Sequence, residues 1–185
     1  MYDLLLKGGR VVDASQNLNG ILDIAISDGV IQKIDSNIPE NEAVKVINAV
    51  GNVVTPGLID FHVHVMYGVD PHGLNSHADN IGVYAGVTTV VDAGSAGCDI
   101  FNIMPTHIIP NAKTEILPFM NLGRTGLVTT PDLYSEHSVS LESTLRVGIQ
   151  HKDIIQGIKI RMVNPALDIF GMKLAEMAKT VAKEL

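Results

Sequence analysis

From residue 55 onward the sequence alternates short apolar runs with stretches of helical period, and that alternation leaves few folds open. Leu58 to His64 reads as a strand, and Asn75 to Ala85 as a helix stopped by Gly86. Thr88 to Asp92 is a second, β-branched strand. A weaker helix over Asp99 to Ile109 is interrupted by Pro105 and closed by Pro110. Ile116 to Asn121 is a third strand, followed by a loop at Gly123–Gly126 and a helix from Leu141 to Gln150. Ile154 to Met162 carries a fourth strand, and Met172 to Leu185 a last helix. Four β/α units in succession predict an α/β domain with a parallel sheet covered by helices. A complete eight-unit barrel takes about 250 residues. The 131 residues after position 54 suffice for half of one. Two arrangements fit: a four-stranded open layer, or part of a longer chain. A final helix without a glycine cap or a returning strand favours the second.

Residues 1–54 follow a different rhythm. Leu4–Leu6 and Val11–Val12 are short apolar runs separated by Gly8-Gly9. Leu22 to Ser27 alternates, Asp28-Gly29 predicts a hairpin turn into Val30–Ile34, and a polar loop precedes Val44–Ile47. No helix-period segment intervenes, so this part is expected to be a small antiparallel β domain.

The chemistry concentrates where the first β/α strand ends. His62 and His64 are spaced i, i+2. On a regular strand they share a face, with Cα atoms about 6.5 Å apart. Two imidazoles so placed can lean onto one divalent ion at bonds of about 2.0–2.1 Å. Two polar residues where a strand meets a loop is the alternative. Function in parallel α/β sheets collects at the carboxyl ends of strands. Asp92 ends strand two, Asn121 ends strand three, and Lys159 and Arg161 lie on strand four. Lys159, flanked by isoleucines, is expected to be buried, which disfavours an ammonium. A neutral amine that has taken up carbon dioxide becomes an anionic carbamate able to bridge two metals. An ion pair with Asp60 or Asp92 is the other solution.

Composition narrows the partners. Thirteen Lys and Arg against twenty Asp and Glu give a net charge of −7. With no basic run, that excludes nucleic acid and anionic membrane surfaces as natural partners. Hydrophobic content of 46% with 18% charged residues describes a chain with a packed core. A single cysteine, Cys98, suits a reducing cytoplasm. Its surroundings offer no histidine partner for a catalytic thiol.

Val54-Thr55-Pro56-Gly57-Leu58-Ile59-Asp60-Phe61-His62-Val63-His64 resembles the first barrel strand of the amidohydrolase superfamily. Gly86 to Gly94 is similar to its second strand, and Gly157-Ile158-Lys159-Ile160-Arg161-Met162 to the strand that carries its carboxylated lysine. The segments come in the family's order. Asp92-Ala93-Gly94-Ser95-Ala96-Gly97 and Lys159 to Met162 most resemble the dihydroorotase-like deacetylase branch.

That resemblance implies a (β/α)8 TIM-type barrel of which the first four units are present, over residues 55–185. It also implies that residues 1–54 are the N-terminal part of a β-sandwich. His62, His64 and carboxylated Lys159 would bind a divalent metal pair, usually zinc. Metal-bound hydroxide would hydrolyse an amide, cyclic amide or ester of a small-molecule substrate. The family's later histidines and proton-handling carboxylate are absent, so the expected site is half complete. Arg161 could meet a substrate carboxylate or a structural aspartate, and Asp60 could orient a ligand or fill the barrel floor. His72, His77, His107, His137 and His151 are expected to be ordinary surface histidines. The full-length protein is expected to be a cytoplasmic homo-oligomer. Two alternatives stand beside the hydrolase: a non-catalytic scaffold relative, and a half-barrel completed by dimerisation.

Overall fold

The computed structural model describes residues 1–69 and 73–185. These form two compact units, residues 1–57 and residues 58–185. Among the described residues no helix is long and apolar enough to cross a membrane.

The first unit is a single sheet of strands β1 (Tyr2–Asp13), β2 (Leu18–Ser27), β3 (Val30–Asp35), β4 (Ala43–Asn48) and β5 (Val53–Val54), in the order β3-β2-β1-β4 with β5 also on β1. The glycine pair does not break β1. It shifts the register between Leu6 and Gly9 instead, and Gly8 takes the left-handed φ of 71° that the irregularity needs. Asp28 and Gly29, with φ of 51° and 72°, make the tight turn between β2 and β3. The sheet departs from an all-antiparallel layout, because β4 and β5 run parallel to β1. A crossover through Ile38 and a short 3-10 turn at Glu40–Glu42 carries the chain back to begin β4 beside Tyr2. Leu5, Ala25 and Ile38 form the small core.

Beneath that core Asp23, 2% exposed, gathers donors: Lys7 Nζ at 2.6 Å, the Gly8 amide at 2.7 Å and the Ile38 amide at 2.8 Å. Burial pushes its carboxyl up, but Lys7 and the two amides outweigh burial and hold it below the usual range.

The second unit is built on a parallel sheet of β6 (Leu58–Val63), β7 (Val87–Asp92), β8 (Glu115–Asn121) and β9 (Gly157–Lys159), in sequential order. Its fold is mixed α/β, with the strands forming a parallel half-barrel. Val63, Val65, Val90, Phe101, Met104, Ile116 and Met120 form the main core. Burying a side chain the size of Phe101 contributes roughly 1.5–3 kcal/mol. Helices α2 (Leu141–Gln150) and α4 (Lys173–Glu184) follow the expected pattern. Leu174, Ala178 and Val181 turn one stripe of α4 inward against β9 and α2. Helix α3 (Ala166–Phe170) precedes α4.

The remaining expected helices are broken for local reasons. Residues 75–85 yield only α1 (Ala78–Ile81) and a 3-10 turn at Val83–Ala85. A Cβ on the intervening Gly82 would lie 2.3 Å from the Thr114 side chain, so this close approach requires glycine. Residues 99–109 give one wide π turn at Met104–Ile108, where Pro105 removes an N–H, and a 3-10 turn at Ile109–Asn111. The fourth strand shrinks to three residues, paired on one side with Phe119–Asn121.

Candidate metal centre

His62 sits on β6, an irregular strand, and His64 one residue past its end. Asp60 opposes Val90 and Val63 opposes Asp92, so β6 carries one residue more than β7 across this interval. Such a bulge re-aims side chains. Asp60 Oδ1 accepts the His62 amide at 3.0 Å, fixing the backbone there. Asp60 is exposed and does not line the cavity described next. The rings of His62 and His64 stand 5.6 Å apart at 80°.

His62, His64, Lys159 and Arg161 line one cavity of about 370 Å³, together with Leu74, Leu127 and Thr130. A larger cavity of about 480 Å³, lined by Tyr67, Val69, His77, Ile103 and His107, contains none of these four. We place the candidate site in the smaller cavity, because polar groups from the carboxyl ends of β6 and β9 and the residues just after them converge there.

Lys159 departs from the expected burial, being only partly buried in the cavity wall. Its ammonium has no carboxylate within ion-pair distance among the described residues, so neither Asp60 nor Asp92 neutralises it. Gly94 makes room for its stem: a Cβ there would sit 2.5 Å from Lys159 Cβ, and φ is 81°.

Asp92 is occupied elsewhere. It is wholly buried and accepts the amides of Val65 (2.9 Å), Gly94 (3.1 Å) and Ser95 (2.7 Å), and the Ser95 hydroxyl at 2.6 Å. Burial pushes its carboxyl above the usual range, against the pull of Ser95 and Val65. Ser95 Oγ also lies 2.9 Å from His64 Nδ1. The His64 imidazolium is disfavoured, first by burial and then by His62, Lys159 and Arg161, while Asp92 acts in the opposite direction. A neutral imidazole is the form that binds metal.

Arg161 approaches Asp132 Oδ1 at 3.4 Å, a long contact, and Asp132 Oδ2 lies 3.3 Å from Asn121 Nδ2. Asn121 further donates to Gly94 O and accepts the Gly123 amide, tying the β8 end to the β7 turn.

Ser95 is the residue that sequence pattern passed over. The signal was present, since an aspartate two and three residues before accepting amides is an Asx turn, and Asp92-Ala93-Gly94-Ser95 has that form. Other histidines are accounted for locally. His77 accepts the Asp79 amide at the start of α1, His107 contacts Thr106, and His137 is exposed. His151 is half-buried against Phe101, not a surface residue. His72 lies outside the described residues. Cys98 is buried, and burial pushes its thiol up, which disfavours a reactive thiolate. Among the described residues no three His, Cys, Asp or Glu side chains converge as a ready-made metal cluster.

Three comparisons bear on this geometry. A deacetylase of Agrobacterium fabrum is 32% identical over 175 residues, covering 93% of this chain and 42% of the relative. A dihydroorotase of Trichlorobacter lovleyi is 35% identical over 122 residues, 61% of this chain and 27% of the relative. A solved dihydroorotase superposes with a TM-score of 0.87 at 28% identity, covering 99% of this chain and 48% of that one. The chain thus spans less than half the length of these relatives. No family model matches it.

Proposed function

Because the chain belongs to the amidohydrolase superfamily, we propose that its second unit carries one side of a metal-dependent hydrolase site acting on an amide, cyclic amide or ester. The observation that carries this reading is the cavity shared by His62, His64 and Lys159, whose ammonium meets no carboxylate among the described residues.

The donor set fits a divalent metal pair, with zinc favoured by the imidazoles. His62 and His64 would hold the ion nearer β6, and Lys159, as a carbamate, would reach both. Carboxylation needs only the neutral amine: Nζ forms a bond to the carbon of carbon dioxide, and one N–H proton leaves to solvent. The product exchanges a cation that has no counter-ion among the described residues for an anion facing two imidazoles. Bound there, the metals would polarise the substrate carbonyl and lower the pKa of water.

Arg161 would receive a carboxylate of the substrate. A guanidinium has five N–H donors, and the contact to Asp132 uses one nitrogen at long range. The narrower substrate class is that of the relatives' names, a deacetylase or dihydroorotase reaction.

The test is zinc titration of the protein in bicarbonate buffer and in buffer stripped of carbon dioxide, for the wild type and Lys159→Met. Saturable binding that weakens on either change supports the reading. Absence of binding, or binding indifferent to Lys159→Met, overturns it.

A further inference from the structure

The Ser95 hydroxyl lies between a buried carboxylate and a candidate metal ligand, and it has one proton to give. Its Oγ is 2.6 Å from Asp92 Oδ2 and 2.9 Å from His64 Nδ1. A carboxylate offers about four lone-pair sites. On Asp92 the amides of Gly94 and Ser95 take both sites of Oδ1, and the Val65 amide takes one on Oδ2. The remaining site is the one the hydroxyl faces at its shorter distance. Ser95 therefore donates to Asp92. An oxygen whose only proton is committed can contact Nδ1 only as an acceptor, so Nδ1 must carry the hydrogen. A neutral imidazole has a single N–H, which leaves Nε2 with its lone pair.

The turn holds this arrangement firmly. Ser95 is fully buried, its carbonyl accepts the Leu127 amide at 3.0 Å, and the neighbouring Ala96 carbonyl accepts the Asn121 amide at 2.9 Å. Gly126, with φ of 60°, lets its backbone press against the Ser95 carbonyl, which a Cβ would meet at 2.3 Å.

We infer that Ser95 is a positioning residue that fixes neutral His64 as the Nδ1–H tautomer, so that Nε2 presents its lone pair to a divalent cation. Histidine in water favours the opposite tautomer, with hydrogen on Nε2, so the hydroxyl reverses an intrinsic preference. Outer-shell groups that fix a ligand histidine in this way typically change metal affinity by about 10–100-fold. The cation half of the inference rests on the function proposed above; the tautomer half does not.

Long-range proton–nitrogen NMR correlation on the ¹⁵N-labelled, metal-free protein in mildly alkaline buffer reads the tautomer directly, with His64 identified by its loss in His64→Gln. Wild type should show hydrogen on Nδ1. Ser95→Ala should move it to Nε2 and weaken zinc binding about 10–100-fold in a chelator competition. Asp92→Asn provides a second route if Ser95→Ala fails to fold. Its amide can donate to Ser95 Oγ, freeing the hydroxyl to donate to Nδ1 and moving the imidazole proton to Nε2. Hydrogen on Nε2 in the wild type, as a protonated Asp92 donating to Ser95 would produce, overturns the inference. So does a Ser95→Ala protein whose tautomer stays put, or one whose tautomer moves while zinc affinity does not. Wild type with hydrogen on Nδ1 that binds no zinc overturns the metal function while leaving the tautomer assignment standing.

Discussion

Two buried aspartates, one in each unit, do opposite things with the same side chain. Asp23 in the β unit and Asp92 in the α/β unit are both essentially inaccessible, and each collects backbone amides from sequence-distant segments. Asp23 also holds the Lys7 ammonium at 2.6 Å, and the carboxyl stays below its usual range. Asp92 has no cation in contact among the described residues and is pushed upward by burial; its remaining capacity goes to Ser95 and onward to His64. The lesson lies in the partner. A buried carboxylate neutralised by a lysine closes a local structure, whereas one that makes no ion pair with Lys159 passes its influence to an imidazole facing a cavity.

The strongest way to break that comparison is Asp23→Ala. It leaves a part-buried ammonium without its anion and should cost about 3–5 kcal/mol, seen as lost amide hydrogen-exchange protection across residues 1–57. Zinc affinity should not move, and an equal fall in zinc affinity would erase the distinction. Asp92→Asn tests the other side. Weaker zinc binding by roughly 10–100-fold, from a fold that still melts cooperatively, separates positioning from mere support.

A smaller effect is expected at Gly94→Ala. The left-handed φ costs about 1–2 kcal/mol for a residue with a Cβ, and the new methyl collides with the Lys159 stem. Thermal unfolding gives the first quantity. Zinc affinity in bicarbonate gives the second, and an unchanged value would mean the stem needs no such passage.

The smallest effect sharpens the contrast through pH. The folded Asp23 carboxyl is lowered, so its stabilisation is complete above the ordinary aspartate range and is lost as pH falls through the lowered value. The folded Asp92 carboxyl is raised, so folding favours its protonated form, and acidification from the raised towards the ordinary value adds stability. Carboxyl ¹³C titrations of the two residues should therefore move in opposite directions from the free-aspartate midpoint. Midpoints shifted the same way would refute the pairing argument.

What the sequence revealed follows from which forces are local. The strand–helix alternation after residue 55 was legible because apolar period is written residue by residue, α2 appeared over the expected residues, and the Asp28-Gly29 turn appeared where its glycine indicated. The parallel pairing of β4 with β1 was not legible, since it depends on a crossover fixed by Ile38 packing far from either strand's own pattern. The shortened α1 reflects Thr114 crowding Gly82 across 32 positions. At the site, residue type and expected strand position singled out His62, His64, Lys159 and Arg161, and these four line one cavity. The β6 bulge and the Ser95 bridge were missed because both are three-dimensional matters, a register offset and a hydroxyl's choice of partner.

The most direct measurement is X-ray absorption at the zinc edge of the loaded protein. Two imidazole nitrogens at about 2.0–2.1 Å, reduced to one in His62→Ala, are expected. A first shell of oxygen alone, or one containing the Cys98 sulfur and indifferent to His62→Ala, would contradict the account.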